Sequence, residues 1–326
     1  MCGIVAVLRR PARRQPPSRD LLIADLEGAA SAVGDVGRLG DAAAALARVD
    51  EALRGVPGVR ALLNADLAAA VQARAEGIDA QIRRIEVSLD TGQQDLSTAA
   101  LEQVNAALVR LKDAVWGILH DRLRTARAVR ELAGERALAA SEAAVEGYTS
   151  IQLALSAIDR LEVRGRDSAG LHVLVEGHGL DLSSPAVSGL LVDRLRDRLF
   201  TSMAVRTPGG HLAFVYKAAA EIGELGDNTR RLREAIRSDE LLRQALSGPG
   251  ARATVLGHTR WASVGLITEA NAHPLNQEEE GRPRGPYVVG ALNGDVDNHP
   301  TLKVRESLCV PAEVTTDAKV IPVLLS

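Results

Sequence analysis

The chain has 326 residues, 46% of them hydrophobic, enough to bury the core of one large domain or two ordinary ones. Aromatic residues are only 2%, so that core is built mainly from Leu, Val, Ile and Ala, and the long stretches of Ala, Leu, Arg and Glu favour helix. A formal net charge of −3 gives no basic field that would draw the protein to nucleic acid, and no apolar stretch approaches the roughly 20 residues that span a bilayer; neither is an expected partner.

Residues 4–8 are apolar and β-branched and predict a short buried strand near the N-terminus. Pro11, Pro16 and Pro17 end it, and the basic run Arg9, Arg10, Arg13 and Arg14 among them reads as a solvated turn. These basic residues follow the apolar run, the wrong order for a secretory signal, and Cys2 and Cys309 are too few for a disulfide scaffold. A soluble, cytoplasmic protein is the expectation.

From about residue 21 to 140 the pattern is helical repetition. Ile78, Ile82, Ile85 and Leu89 step by three and four, as do Leu101, Val104, Leu108, Leu111 and Val115, so each stripe faces a partner helix. Asp90-Thr91-Gly92 separates them and Ser97 is placed to cap the second, which predicts an antiparallel helical hairpin within a small bundle. A structural or partner-binding role is the expectation for this part.

A helix is predicted over 142–161, then a strand over 171–175 and one charged helix over 227–246 that ends at Ser247-Gly248-Pro249-Gly250. Short apolar runs at 253–256, 287–292 and 320–325 suit buried strands, so the last third is expected to be strand-rich.

Met1-Cys2-Gly3 permits removal of the initiator, after which Cys2 carries both a thiol and a free α-amine. An α-amine has a pKa of about 7.7–8.0, so near neutrality an appreciable part can take the thiol proton, directly or through water. Taken alone, these three residues read rather as a small hydrophobe at a strand start. Four further segments bear on them. Gly257-His258-Thr259-Arg260-Trp261-Ala262-Ser263 contains an Arg whose planar fork suits a carboxylate. Asn271-Ala272-His273-Pro274 follows; Leu292-Asn293-Gly294 sets a side-chain amide beside an approachable backbone N–H; Thr315-Thr316-Asp317 puts a carboxylate in a turn.

Together with Met1-Cys2-Gly3-Ile4-Val5 and Arg164-Gly165-Arg166-Asp167-Ser168-Ala169-Gly170, these ordered motifs resemble the class II glutamine amidotransferase domain, most closely that of the glucosamine-6-phosphate synthase (glutamine:fructose-6-phosphate aminotransferase) family. The resemblance covers residues 2–8 and most of 148–321. It implies an α+β Ntn-hydrolase fold, a four-layer αββα sandwich formed by residues 1–15 and 141–326, interrupted by a helical insertion over 16–140. It further implies that Cys2 attacks the carboxamide of glutamine to form a γ-glutamyl thioester, that Asn293 and the Gly294 N–H hold the oxyanion, and that Arg260 and Asp317 receive the α-carboxylate and α-ammonium.

Trp261 resembles the family's mobile cover, while Ser263, Arg164 and His273 match pocket residues. No cofactor and no metal is implied. The ammonia acceptor implied is fructose 6-phosphate, bound by isomerase domains that lie outside this chain, so the amidotransferase domain is expected to be C-terminally incomplete here; a homodimer is left open. Val264 and Leu292 stand where the family has His, and Ala318-Lys319 replace a small hydroxyl residue and an acid, changes expected to alter the lid and to reverse a charge beside the ammonium site. Two other readings stand beside this one: the amidotransferase part of an amidophosphoribosyltransferase-like enzyme, and a catalytically silent scaffold whose helical insertion binds a partner.

Overall fold

A computed structural model describes residues 2–91, 97–220, 224–282 and 285–326. The chain divides into two compact units, Ala12–Arg130 and Met1–Pro11 with Glu131–Ser326. Its strands are β1 (Gly3–Val7), β2 (Ser168–Glu176), β3 (Val205–Arg206), β4 (Leu212–Ala219), β5 (Arg252–Arg260), β6 (Leu275–Asn276) and β7 (Val289–Gly290).

The first unit holds, among its described residues, α1 (Arg19–Val33), α2 (Leu39–Ala52), α3 (Gly55–Leu62), α4 (Ala65–Asp90), α5 (Thr98–Trp116), a π-helical stretch Gly117–Leu123 and the start of α6 (Arg124–Ala140), and no strand. The two sequence stripes are core stripes. Ile78 and Ile82 of α4 are buried, as are Val104, Leu108, Leu111 and Val115 of α5, whereas Leu101 in the first turn stays exposed. Asn64 caps α4 by accepting from the Leu67 N–H at 2.9 Å, and Ser97 caps α5 by accepting from Ala100 at 3.4 Å. Thr91 turns back onto the Val87 carbonyl at 2.8 Å; the expected turn glycine, Gly92, lies outside the described residues. Arg14 is not merely solvated: its guanidinium donates to the Glu51 carbonyl at 3.0 Å and to that of Arg54, just past the end of α2.

The second unit is mixed α and β, compatible with an α+β class. Its five-stranded sheet has the order β1-β5-β2-β4-β3 and is antiparallel at every pairing. One face rests on α7 (Glu142–Leu161) and α9 (Asp227–Ser238), while α8 (Pro185–Leu195) packs near β3. On that face Gly3 and Gly257 let the backbone approach α7: a Cβ on Gly257 would stand 3.0 Å from Ile158, and one on Gly3 2.8 Å from Leu161. On the opposite face Val289 packs on Phe200 and Val215, and the Tyr287 hydroxyl lies 2.8 Å from His172 Nε2.

Several sequence expectations change. β1 is an edge strand, so Ile4 is 44% exposed and only its Gly3, Val5, Val7 side turns towards the helices. The charged helix of 227–246 is two, α9 and α10 (Glu240–Ser247), because Asp239 leaves the helical region (φ −79°, ψ 98°) and its carboxylate accepts from the Leu242 N–H at 3.1 Å as the cap of α10. Residues 320–325 are not a strand but a short helix, Val320–Leu324, and 287–292 contribute only the two residues of β7. After β5 the described residues hold two short strands, β6 and β7, and two short α-helices, His299–Arg305 and Val320–Leu324, so this part is loop-rich.

Candidate active site

Alternation along β5 decides which side chains meet. Arg260 and His258 project to the face away from α7, and cross-strand pairing sets Ser168 beside Arg260, and Ile4, Gly170 and Lys217 in one row with His258. Cys2, one residue before β1, continues the parity of Ile4 and lies at the end of this face, half-buried.

Two loops converge on Cys2. The turn after β5 brings the Trp261 N–H to 3.4 Å from Sγ, and the loop after β7 brings Asn293, whose Oδ1 accepts from the Cys2 N–H at 3.3 Å. With Oδ1 so engaged, the Nδ2 end of Asn293 faces away from Cys2 N. The turn after β5 is fixed from below: the Asp167 carboxylate accepts from the Ala262 N–H at 2.7 Å and its own N–H donates to the Arg260 carbonyl at 3.1 Å. Gly165 makes this fit possible, since a Cβ there would lie 2.8 Å from the Arg260 carbonyl carbon and 2.9 Å from the Trp261 nitrogen.

The loop after β7 is held by stacked imidazoles. The Leu292 N–H donates to His273 Nδ1 at 3.2 Å and the Leu292 carbonyl accepts from His258 Nε2 at 2.9 Å, the two rings lying 4.4 Å apart. Those partners assign both rings as neutral Nε2–H tautomers. Burial pushes His258 down to about 4, and burial together with the neighbouring His258, Arg260 and Lys217 pushes His273 well below its ordinary value. Asn271, fully buried, accepts at Oδ1 from the Thr315 and Thr316 N–H groups at 2.7 and 2.9 Å and donates from Nδ2 to Thr268 Oγ1 and the Glu313 carbonyl. This clamp positions Asp317, whose Oδ2 accepts from the Val296 N–H at 2.5 Å.

Arg260 is 3% exposed; burial lowers its pKa, opposed by Cys2, Asp167 and Asp317, the charges around it. Its terminal nitrogens donate to the carbonyls of Leu266, at 3.0 Å, and Val264. The Ser263 hydroxyl donates to Asp295 Oδ1 at 2.5 Å. Arg164 lies exposed on the turn after α7, where its N–H donates to the Leu161 carbonyl. Lys319 is buried and donates to the carbonyl and Oδ1 of Asn276 at 2.6 and 2.9 Å, so its charge is directed at Asn276. Met1 lies outside the described residues.

Cys2, Trp261, Asn293, Arg260, His273 and Asp317 therefore occupy one end of one sheet face. Two curated proteins match part of this chain. The glutamine–fructose-6-phosphate aminotransferase (isomerizing) of Aquifex aeolicus is 32% identical over 152 residues, 45% of this chain and 21% of that protein. The enzyme of the same name from Idiomarina loihiensis is 40% identical over 73 residues, 22% of this chain and 10% of that protein. The chain thus spans about a fifth and a tenth of the length of these relatives, and the likeness relates it to their family over part of its own length. No family model and no solved structure matches.

His258, Lys217, Asp167 and Asp295 are site residues that the motif reading passed over. The step of two from Arg260 back to His258 is the signal that finds the first, because on a strand that step stays on one face.

Proposed function

We propose that this chain is the glutamine-hydrolysing, ammonia-donating part of an aminotransferase of the glucosamine-6-phosphate synthase kind, with Cys2 as its N-terminal nucleophile. The observation that carries the reading is the pair of contacts on Cys2, its N–H on Asn293 Oδ1 and the Trp261 N–H on its Sγ. Once Met1 is removed, the Cys2 nitrogen is an amine that takes the thiol proton, and the Trp261 N–H stabilises the thiolate left behind. Sγ then attacks the glutamine carboxamide carbon. The Asn293 amide and the Gly294 N–H face the developing oxyanion; one such donor typically contributes about 10²–10³ in rate. Collapse forms the thioester and expels ammonia, which leaves with the proton held by the amine. Water attacks the thioester next, regenerating the thiol and releasing glutamate.

Arg260 pairs with the α-carboxylate, which displaces the Val264 and Leu266 carbonyls that its guanidinium now binds. The α-ammonium meets Asp317, the role that the resemblance gives to that residue, and Ser263 is a further pocket residue. The four-layer Ntn-hydrolase arrangement, residues 16–140 as an insertion, and fructose 6-phosphate as final acceptor belong to this same proposal. Trp261, 56% exposed, is suited to cover the bound amino acid, and His273 to hold the loop of Asn293.

A second reading, a catalytically silent scaffold, is favoured by the engagement of both Arg260 terminal nitrogens within the protein. One assay separates the two: release of glutamate from glutamine by purified protein, with Cys2→Ala beside it. The amidotransferase reading expects release from the unsubstituted protein and none from the variant; equal rates favour the scaffold.

A further inference from the structure

Between α2 and the end of α5 the helical unit holds a cavity of about 780 Å³, within the span of roughly 300–1,000 Å³ usual for small-molecule sites. Its apolar part is shallow, made of Gly40, Ala43, Ala44 and Ala47 on α2 with Ala114 on α5. Its floor is an ion pair. Arg122 approaches both oxygens of Asp50, at 3.0 and 3.1 Å, and Arg54 reaches the same carboxylate at 3.4 Å. Apolar side chains of equal volume often stabilise a fold as well as a mostly buried ion pair, so its place beside a cavity points to a ligand. The backbone is shaped around the pair as well. Gly117 opens the π-helical stretch, a conformation that is rare and frequent at functional sites, and a Cβ there would stand 2.9 Å from Asp50 Oδ1. At the rim, Arg110 and Asp113 are exposed and have no partner among the described residues. The Trp116 indole beside them is 54% exposed.

Charge decides the class of ligand. Arg54, Arg110 and Arg122 line the cavity together with Asp50, Glu51, Asp113 and Asp121, so an anion there meets four carboxylates and a cation three guanidinium groups. A neutral polyhydroxylated ring meets neither penalty. Each hydroxyl donates one proton and accepts at two lone pairs, so carboxylate and guanidinium groups both serve it, and its C–H face suits the electron-rich face of an indole. We propose that this cavity binds a neutral saccharide, stacked on Trp116 and hydrogen-bonded to Arg110 and Asp113 above the Asp50 and Arg122 pair. The site lies wholly within Ala12–Arg130, and its proposal stands apart from the chemistry at Cys2.

The chain has two tryptophans, so Trp261→Phe leaves Trp116 as the sole indole and its emission as the probe. Glucose, maltose and sucrose are titrated into this protein, with inorganic phosphate and spermidine as charged controls, and calorimetry repeats the titrations on the unsubstituted chain. The proposal expects at least one of the three sugars to change Trp116 emission saturably, with a Kd of about 1 mM or tighter. Arg110→Ala and Asp113→Ala, placed at exposed helical positions that alanine suits, are each expected to weaken that sugar by about 5-fold or more. Trp116→Ala is expected to remove the heat of binding while far-UV circular dichroism keeps its helical signal. No saturable binding of any of the three sugars, or binding that Arg110→Ala and Asp113→Ala leave unaltered, overturns the proposal. Tighter binding of phosphate or spermidine than of every sugar also overturns it and marks the cavity as an ion site.

Discussion

Asn271 carries more of the site than any group that faces the mouth. It ties Thr268, Glu313, Thr315 and Thr316 together from a fully buried position, so that the turn before Asp317 has no freedom to drift. Replacing it with Ala leaves the buried Thr316 N–H and the part-buried Thr315 N–H and Glu313 carbonyl without this partner, and Asn271→Ala is expected to destabilise the protein by about 2–4 kcal/mol, read from the denaturant midpoint. A loss under half a kilocalorie would mean that solvent reaches those groups. The motif Asn271-Ala272-His273-Pro274 was legible in the sequence, but its division of labour was not. Asn271 clamps the Asp317 turn and His273 holds the Asn293 loop, and that distinction depends on neighbours more than forty and nearly twenty positions away.

Among the elements, β2, β4 and β5 form a face that carries chemistry at one end and buried titratable groups along its middle. Burial is the leading cause of each shift: His172 and His258 fall to about 4, and Lys217, whose ammonium lies 5.2 Å from the Phe200 ring centre and beside the charge of Lys319, falls to about 7. The unfolded chain protonates these histidines below about 6.5 and Lys217 below about 10.5, so across pH 4–6.5 and again across pH 7–10.5 it binds more protons than the folded protein. Stability therefore climbs as pH rises through either window. Urea midpoints are expected to increase from pH 7 to pH 9, and Lys217→Met is expected to reduce that rise to the part that Lys319, pushed down to about 8 by burial, still contributes. A rise as steep in the variant would show that Lys217 keeps its proton when folded.

These strands were read unevenly from sequence. The apolar run over 171–175 marks β2 in the sequence, whereas residues 212–219, which form the strand on which Lys217 sits, carry no strand expectation there. The apolar run over 320–325 suits a strand by composition, but an apolar run this short carries no period, and the helix Val320–Leu324 packs beside β6 and β7.

For the molecule as a whole, each unit owns a core. In Ala12–Arg130, Arg122 approaches the Asp50 carboxylate at 3.0 and 3.1 Å with both side chains under one-fifth exposed, and Arg54 shares the same carboxylate. Asp50→Ala leaves Arg122 unpaired in a mostly buried setting, a change that typically costs about 3–5 kcal/mol for a fully buried pair and less here. Scanning calorimetry is expected to resolve two transitions, of which Asp50→Ala lowers one. A single transition that shifts as a whole would contradict independent cores. The helical periodicity of this unit was plain in the sequence because its stripes run for several turns. The purpose of the unit was not, since its stripes are spent on its own packing.

The central claim concerns Cys2, and acid-quenched mass spectrometry of the protein during turnover of glutamine tests it most directly. The account predicts a γ-glutamyl adduct on an N-terminal peptide that begins at Cys2 and lacks Met1. Glutamate formed with no adduct on Cys2, or by protein that still carries Met1, would contradict it.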